Sequence, residues 1–396
     1  MKSLDEKLAL LREKMQGPDA EIGIMIVGLG SVGLYLLDYL VSLADPRLHV
    51  VVAGRNLEKM RKDVNIVRTA ATIRGQFRCR VDIDAECDLE RPESVAAVIA
   101  RWSPDFIVNS SRVYSGLKYG TISWHTLRAY GIWTPLSVRY ARNIMEAYEA
   151  AGSAAITINT SYSDAVIPWL KSAGMAHFDF GSGNLNHLIP RMKFHIAEKF
   201  GIADLNDIDV TMAVSHFHDV VVSKEGHDEG VNFPLSIRHA GKELDFDRAE
   251  LLKACMIAMP TDQKRNMMNA SSNFDIIRSI LRALDGHRAV KFHTPGVCGE
   301  IGGYPFIVDA TDGVRGYVDE SVFSLEQMRR ANRESIYLDG IADVSGGRLY
   351  YTPELQQKVE KAFGKTLPEI VSIDEIDKFG TNFLIRQIIE ESDKGA

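Results

Sequence analysis

A glycine-rich turn between an apolar strand and a helix is the feature that most constrains this fold. Residues 22–27 read Ile-Gly-Ile-Met-Ile-Val, and Gly28, Gly30 and Gly33 follow in the spacing Gly-x-Gly-x-x-Gly. The first glycine permits a tight turn, the second lets the backbone approach a diphosphate, and the third lets helix and strand pack closely. A second apolar strand ends at Ala53. This order predicts a dinucleotide-binding βαβ unit, with the diphosphate at the positive end of the helix.

Two other interpretations of this segment stay open at the level of sequence. The glycines also suit an ordinary βαβ unit in which they serve only packing. Residues 22–44 are largely apolar, as in a membrane span, but three glycines and Asp38 interrupt them, so we expect no membrane segment. The residues expected to hold the diphosphate are Gly28, Gly30, Ser31, Val32 and Gly33.

The end of the second strand bears on the choice of cofactor. An NAD site usually carries Asp or Glu there, whereas this chain has Arg55 and Asn56. An arginine can stack on adenine and pair with a 2′-phosphate, and three further cations lie within residues 59–62. We therefore predict NADP(H) rather than NAD(H). The alternative is that Arg55 is solvated and Glu58 reaches the ribose.

The pattern of elements predicts an α/β protein with two domains. We expect an N-terminal helix over residues 1–21 and a Rossmann domain, a doubly wound parallel sheet, over residues 22–165, where strands alternate with helices. Residues 166–350 mix strands and helices in the manner of an α+β domain for substrate binding and dimerisation. Residues 351–396 form C-terminal helices that can return to the Rossmann domain.

Composition limits the partners and the compartment. The net charge of −7 gives no global support for nucleic-acid binding, and 45% hydrophobic residues is ordinary for a soluble protein. Four scattered cysteines without a Cys-x-x-Cys pair suggest reduced thiols, so we expect a cytoplasmic protein. The first 21 residues do not resemble a signal peptide, and Leu4, Leu8 and Leu11 suggest a short amphipathic helix on the first domain or on a partner. We expect a homodimer.

Polar residues follow two predicted strands at the edge of the sheet where ligands gather. Asn109, Ser110 and Ser111 follow the fourth strand and are expected to line the nicotinamide side. Asn159 and Tyr162 follow the fifth strand. Ordinary turn chemistry explains these small residues equally well. Arg112 and Asn159 are candidate substrate ligands, Tyr162 is a candidate for substrate binding or proton transfer, and Asp164 is interpreted as the N-cap of its own helix.

The second half contributes the remaining candidates. A long strand is predicted over residues 207–222, which puts His216 and His218 on one face. This pair is a candidate for proton transfer or substrate contact, and a polar sheet face or a metal pair are the alternatives. No third and fourth ligand is evident nearby, so we predict no metal. Three further residues are candidate substrate ligands: His177, His293 and Tyr304.

Short segments spread over most of the chain resemble the saccharopine dehydrogenase-like oxidoreductases. They are Val-Gly-Leu-Gly-Ser-Val-Gly at 27–33, Ala-Gly-Arg-Asn at 53–56, Asp-Phe-Ile-Val-Asn-Ser at 105–110, Asn-Thr-Ser-Tyr-Ser-Asp at 159–164, Gly-Ser-Gly-Asn at 181–184 and Gly-Gly-Tyr-Pro at 302–305. The resemblance implies a Rossmann domain followed by an α/β domain whose open face covers the nicotinamide. It also implies oxidation or reduction at a carbon that bears nitrogen.

The sequence therefore predicts an NADP(H)-dependent oxidoreductase that acts on an amino or imino acid, in amino-acid metabolism. One alternative is a synthase or isomerase that keeps the nucleotide bound and recycles it. Another is a protein that senses NADP(H) without turnover.

Overall fold

Six parallel strands form the sheet that organises the first half of the molecule. The structure is a computed structural model that describes residues 2–17, 20–114, 116–260 and 262–395. The strand order is β3-β2-β1-β4-β5-β6, which is the order of a dinucleotide-binding doubly wound sheet. The strands are β1 (Ile22–Val27), β2 (Leu48–Ala53), β3 (Arg80–Asp84), β4 (Phe106–Asn109), β5 (Ile156–Asn159) and β6 (Phe180–Gly181).

Helices cover both faces of this sheet, and this explains why its central strands are apolar throughout. In β1, Met25 and Val27 pack with Val98 of one helical layer, while Ile24 packs with Leu36 of the other. The helices of this half are α1 (Leu4–Met15), α2 (Ser31–Ser42), α3 (Leu57–Ile73), α4 (Pro92–Trp102), α5 (Gly116–Thr121), α6 (Thr134–Ala150) and α7 (Ser163–Ser172). A π-helical turn, Ile122–Leu127, and a 3₁₀ turn, Gly131–Trp133, lie between α5 and α6.

Three small antiparallel sheets and further helices form the second half. The sheets are β7-β8-β9, β10-β11-β12 and β13-β14-β15. The strands are β7 (Ile208–Met212), β8 (Leu235–His239), β9 (Lys242–Glu243), β10 (Ala289–Pro295), β11 (Gly303–Asp309), β12 (Arg315–Val318), β13 (Ile341–Ser345), β14 (Arg348–Tyr351) and β15 (Ile370–Ser372). The helices are α8 (Leu185–Phe200), α9 (His216–Glu225), α10 (Arg248–Ala254), α11 (Asn266–Gly286), α12 (Leu325–Leu338), α13 (Pro353–Phe363), α14 (Ile376–Phe379) and α15 (Glu390–Gly395). The predicted α/β class with a mixed second half is confirmed.

The long strand predicted over residues 207–222 is wrong, because β7 ends at Met212 and α9 begins at His216. A residue outside α9 caps the N-terminus of this helix. The backbone N–H of His216 donates to Asp164 Oδ1 at 3.0 Å. A carboxylate at this end of a helix is favoured by the unpaired N–H groups and by the helix dipole. Since Asp164 lies on α7, the sequence around His216 carries no local signal for this cap.

The C-terminal helices return to the first half of the chain. Arg142 of α6 donates to Asp377 of α14 at 2.8 Å, and Leu384 and Ile388 belong to the same buried cluster as the helical layer on α4 and α6. In the part of the chain that the structure describes, no helix is long and apolar enough to cross a membrane.

A buried ion pair fastens α1 to the sheet. Leu8 and Leu11 of α1 are buried within this chain, and Lys7 Nζ donates to both carboxylate oxygens of Asp179, at 2.8 and 2.9 Å. Asp179 also accepts from the backbone N–H and the hydroxyl of Thr157 in β5. The lysine side chain is fully buried, so removing either partner leaves a charge without compensation.

We predict that Lys7→Met lowers the free energy of unfolding by about 3–5 kcal/mol, because Asp179 then stays buried and unpaired. Lys14→Met on the same helix is the matched control. Lys14 pairs with Asp105 at the surface, so its loss costs about 1 kcal/mol or less. Urea unfolding of both variants measures the difference, and equal effects would contradict the role given to Lys7.

Candidate functional site

The glycine-rich turn has the geometry that binding of a diphosphate requires. Gly28 has a φ of +90°, which favours glycine. A Cβ at position 33 would lie 2.4 Å from the carbonyl oxygen of Gly28, so only glycine lets α2 approach the turn this closely. A Cβ at Gly30 would meet no atom within 4 Å, and no side chain caps the N-terminus of α2. The first backbone N–H groups of α2 are therefore open to a ligand.

The turn opens into a cavity of about 930 Å³ at the carboxyl edge of the sheet. This volume lies at the upper end of the range for small-molecule sites, about 300–1,000 Å³. Residues from both halves of the chain form its walls. The predicted site residues that line it are Gly28, Gly30, Ser31, Val32, Arg55, Asn56, Ser110, Ser111, Arg112, Tyr162 and His216.

The end of the cavity next to β2 has two cations, Arg55 and Lys59, and each has a carboxylate neighbour, Asp88 and Asp63 respectively. Arg55 is 62% exposed and has Asp88 as its neighbour at 3.3 Å. Lys59 also lines this end, and Asn56 caps α3 by accepting from the backbone N–H of Lys59. Glu58 points to solvent, where it pairs with Lys62. Arg55 and Lys59 are therefore closer to the cavity than the carboxylate of Glu58.

Two residues that line another part of the cavity, His216 and Tyr162, share a buried carboxylate, Asp339. His216 Nδ1 lies 3.0 Å from Asp339 Oδ2, and the Tyr162 hydroxyl donates to the same oxygen at 2.6 Å. The backbone N–H of Tyr130 donates to Asp339 Oδ1 at 2.6 Å. Since the carboxylate engages Nδ1, the imidazole keeps Nε2 for the cavity. Tyr162 has a φ of +44°, an unusual conformation of the kind that collects at functional sites.

The charge state of His216 follows from two opposing effects. Burial alone would lower its pKa, but Asp339, together with Asp164 and Asp219, outweighs burial and raises the pKa above the ordinary value. Burial also raises the pKa of Asp164 to about 6. The interpretation of Asp164 as the cap of its own helix is wrong, because its carboxylate accepts from Asn184 and from the backbone N–H of His216. Asp164 therefore positions His216.

A second histidine–carboxylate pair on the cavity wall was missed in the sequence. His187 Nδ1 lies 3.0 Å from Asp219 Oδ2, and both residues line the cavity. The Nε2 atom of His187 is buried and has no hydrogen-bond partner among the described residues. The only local signal is that His187 stands in the first turn of the helix that follows the Gly-Ser-Gly segment at 181–183. Its partner is 32 residues away.

His218 does not share a face with His216. On a helix, residues two apart point roughly 200° from each other, whereas the predicted strand would have aligned them. His218 is fully buried, with Nδ1 on Ser335 and Nε2 on the carbonyl oxygen of Asp228. Burial lowers its pKa to about 4. The catalytic role predicted for His218 is therefore wrong, and the two histidines cannot share a metal ion.

Three of the predicted substrate ligands lie outside the cavity. His177 faces the carbonyl oxygen of Met175, and Tyr304 donates to the carbonyl oxygen of Ile301. His293 is buried on β10, where burial lowers its pKa to about 3. The structure therefore does not bring these three residues to the cavity.

Asn109 and Asn159 support the cavity wall from behind. Asn109 Nδ2 donates to Asn159 Oδ1 at 2.9 Å, which joins the ends of β4 and β5. Ser111 donates to Asn109 Oδ1 at 2.5 Å. Both asparagines are buried, so they do not make the direct ligand contacts predicted for them. Their role is instead to position Ser111.

One group of possible metal ligands occurs in the described ranges, namely Glu225, His227 and Glu229. None of the three lines the cavity. Arg128 donates to both carboxylates at 2.6–2.7 Å, so their charge is already compensated.

Solved dehydrogenase structures share this fold. Malate dehydrogenase from Cryptosporidium parvum is 11% identical with a TM-score of 0.54, and the alignment covers 81% of this chain and 98% of that one. Lactate dehydrogenase from the same organism, in complex with lactic acid and nicotinamide adenine dinucleotide, is 13% identical with a TM-score of 0.54 over 81% and 97%. Malate dehydrogenase from Aeropyrum pernix is 14% identical with a TM-score of 0.53 over 80% and 97%.

These likenesses establish a Rossmann fold with a second α/β part. No protein-family model and no curated protein matches the chain. The solved structures named above are malate and lactate dehydrogenases, so the resemblance to saccharopine dehydrogenases rests on the sequence segments.

We predict that Asp339→Asn lowers the pKa of His216, because a neutral amide removes the main interaction that opposes burial. The imidazole then loses its proton at a lower pH than in the wild type. An NMR titration of the histidine ring protons measures this shift, with His218 as the internal reference. An unchanged pKa of His216 would show that Asp339 does not control it.

Proposed function

We propose that this protein is a nicotinamide-dependent oxidoreductase. The observation that carries the proposal is the single cavity that joins the Gly28–Gly33 turn to the His216–Asp339 pair. One end offers open backbone N–H groups for a diphosphate, and the other offers a buried imidazole whose orientation is fixed. The dehydrogenases that share the fold support the same class.

The residues present fit a dinucleotide. The N–H groups of α2 would hold the diphosphate, and Arg55 the adenosine end. Ser110 and Ser111 would border the nicotinamide. When bound, the nicotinamide supplies or accepts a hydride at the substrate carbon. The chain itself must then orient that carbon and move one proton.

His216 is suited to moving this proton. Its Nε2 would give a proton to the nitrogen or oxygen on the substrate carbon during reduction, and take it back during oxidation. The Asp339 carboxylate accepts a hydrogen bond from Nδ1 of His216. It stabilises the imidazolium because the two groups are in contact and buried. The hydroxyl of Tyr162 donates to the same carboxylate and so keeps its position. Burial and Asp339 raise the pKa of Tyr162 far above its ordinary value, so it acts as a neutral donor.

We propose a preference for NADP(H). Arg55 and Lys59 line the end of the cavity next to β2, and Glu58 is directed to solvent. A 2′-phosphate would meet two cations there, whereas a ribose hydroxyl would lack the usual carboxylate acceptor.

We further propose a substrate with a C–N centre. The support is the saccharopine dehydrogenase-like sequence at 159–164 and 181–184, since Thr160, Tyr162 and Asn184 of these segments line the cavity. A hydroxy acid is the second candidate, because malate and lactate dehydrogenases share the fold and a histidine–carboxylate pair also serves a C–O centre.

We predict that NADPH is consumed with at least one member of a panel of 2-oxo acids, offered with and without ammonia or a primary amine. Consumption that needs the amine identifies a C–N centre, and consumption without it identifies a hydroxy-acid enzyme. Absorbance at the nicotinamide band measures both. His216→Asn should abolish turnover while NADPH still binds. Binding of NADPH without consumption on the whole panel would contradict the proposed redox turnover.

We predict that Arg55→Ala weakens NADPH about 10-fold or more and leaves NADH unchanged, because a charge-assisted contact to the 2′-phosphate contributes roughly 1.5–3 kcal/mol. Arg61→Ala is the control, since Arg61 is an exposed cation of α3, the helix that follows Arg55, and is outside the cavity lining. Fluorescence titration with both nucleotides measures the affinities. Equal weakening of NADPH and NADH, or tighter binding of NADH by the wild type, would refute the preference.

A further inference from the structure

The wall of the cavity formed by α9 and the turn before α11 contains two cations without a close carboxylate partner among the described residues. Lys224 and Arg265 both line the cavity. Within the described ranges, neither has a carboxylate oxygen within 4 Å, whereas Arg55 has Asp88. Burial and the neighbouring Arg265 lower the pKa of Lys224, and Glu225 offsets this only in part.

His187 adds an unused hydrogen-bonding group to the same wall. Its side chain is only 10% exposed, and Asp219 holds Nδ1. Among the described residues Nε2 is buried without a partner, although buried polar atoms are nearly always hydrogen-bonded. Gly183, whose φ of +103° favours glycine, lies beside this imidazole, and a Cβ placed there would be 4.0 Å from Nε2. A ligand atom is the natural partner for Nε2.

Asp219 does not neutralise this wall. Burial would raise its pKa, but His187, His216 and Arg265 together lower it, so the carboxylate is ionised and already engaged by His187. Two carboxylates therefore line this wall, Asp219, which His187 engages, and Asp262, which lies 3.9 Å from Lys264, so neither is the close partner of Lys224 or Arg265.

We infer that His187, Arg265 and Lys224 form a subsite for a carboxylate group of the substrate. With both ring nitrogens protonated, His187 donates from Nε2 to the substrate carboxylate, the guanidinium of Arg265 donates to it as well, and Lys224 adds positive potential. This inference rests on the proposed function, since it assigns the group that holds the substrate while His216 serves the reacting centre. It implies a substrate with a carboxylate in addition to its reacting C–N or C–O group.

The cofactor is the competing explanation for Arg265, because the neighbouring Asn266 donates to Ser31 Oγ at the N-terminus of α2. Two pieces of geometry favour the substrate. The open N–H groups of α2 already serve the diphosphate, and Lys224 and His187 belong to α9 and α8 of the second half. The experiment must therefore measure nucleotide binding and carboxylate binding separately.

The test uses malonate as the probe and malonamide as its neutral counterpart. NADPH affinity is measured by fluorescence, and binding of each probe to the NADPH-loaded full chain is then measured by calorimetry. We expect malonate to bind and malonamide to bind at least about 10-fold more weakly. Malonamide that binds as well as malonate, or no malonate binding to the NADPH-loaded protein, would overturn the inference.

Three variants locate the subsite. Arg265→Gln and His187→Asn should each weaken malonate about 10-fold or more, with unchanged NADPH affinity. Asparagine places an N–H near the former Nδ1, so Asp219 keeps a donor and only Nε2 is lost. Lys264→Gln is the matched control, because Lys264 is 72% exposed on the same turn and outside the cavity lining. Loss of NADPH affinity in Arg265→Gln with malonate binding intact would assign the arginine to the cofactor and overturn the inference.

Failure of the proposed function has a different signature. If the wild type binds no nicotinamide nucleotide, malonate is titrated against the free protein in a thermal-unfolding assay. Stabilisation that disappears in Arg265→Gln but not in Lys264→Gln then supports the carboxylate subsite alone. Absence of stabilisation would overturn the subsite as well.

Discussion

Burial of the Asp339 carboxylate is the constraint around which the candidate site is arranged. The side chain is fully buried, and an ionised group in that position is tolerated only when donors surround it. The donors come from three separate places in the chain, namely the backbone of Tyr130, the hydroxyl of Tyr162 and the ring of His216. Because all three donors contact the Asp339 carboxylate, the segment before α6, the end of β5 and the start of α9 lie close together.

The direction of the parallel strands determines where the Asp339 cluster lies relative to the glycine-rich turn. All six strands run in one direction, so their carboxyl ends meet at one edge, and both the glycine-rich turn and Tyr162 follow strands at that edge. Asp164 connects the two halves by capping α9 from α7, and this contact sets the position of His216. The same helix, α9, also carries Asp219, which engages His187 at the cavity wall. The glycine-rich turn, the His216–Asp339 pair and the wall with Lys224 and Arg265 thus share one cavity.

The features that the sequence predicted are those with local causes. The Gly28–Gly33 spacing and the apolar strands of the sheet each depend on residues adjacent in the chain, and the structure contains both. The errors share a different cause. The segment at 207–222 alternates like a strand, but Asp164, 52 residues from His216, stabilises a helix there and turns His218 into the core. His187 was not predicted as a site residue because its partner Asp219 is also distant in sequence.

Binding of NADPH to the wild type and to Gly30→Val tests the central claim most directly. Gly30 has ordinary backbone angles, and a Cβ there meets no protein atom, so the variant should fold with an unchanged melting temperature. The valine side chain would nevertheless occupy the space that a diphosphate needs above the N-terminus of α2. A fluorescence titration should therefore give saturable binding of NADPH by the wild type and none by the variant. No binding of NADPH or NADH by the wild type, or equal affinity in a folded variant, would contradict the account.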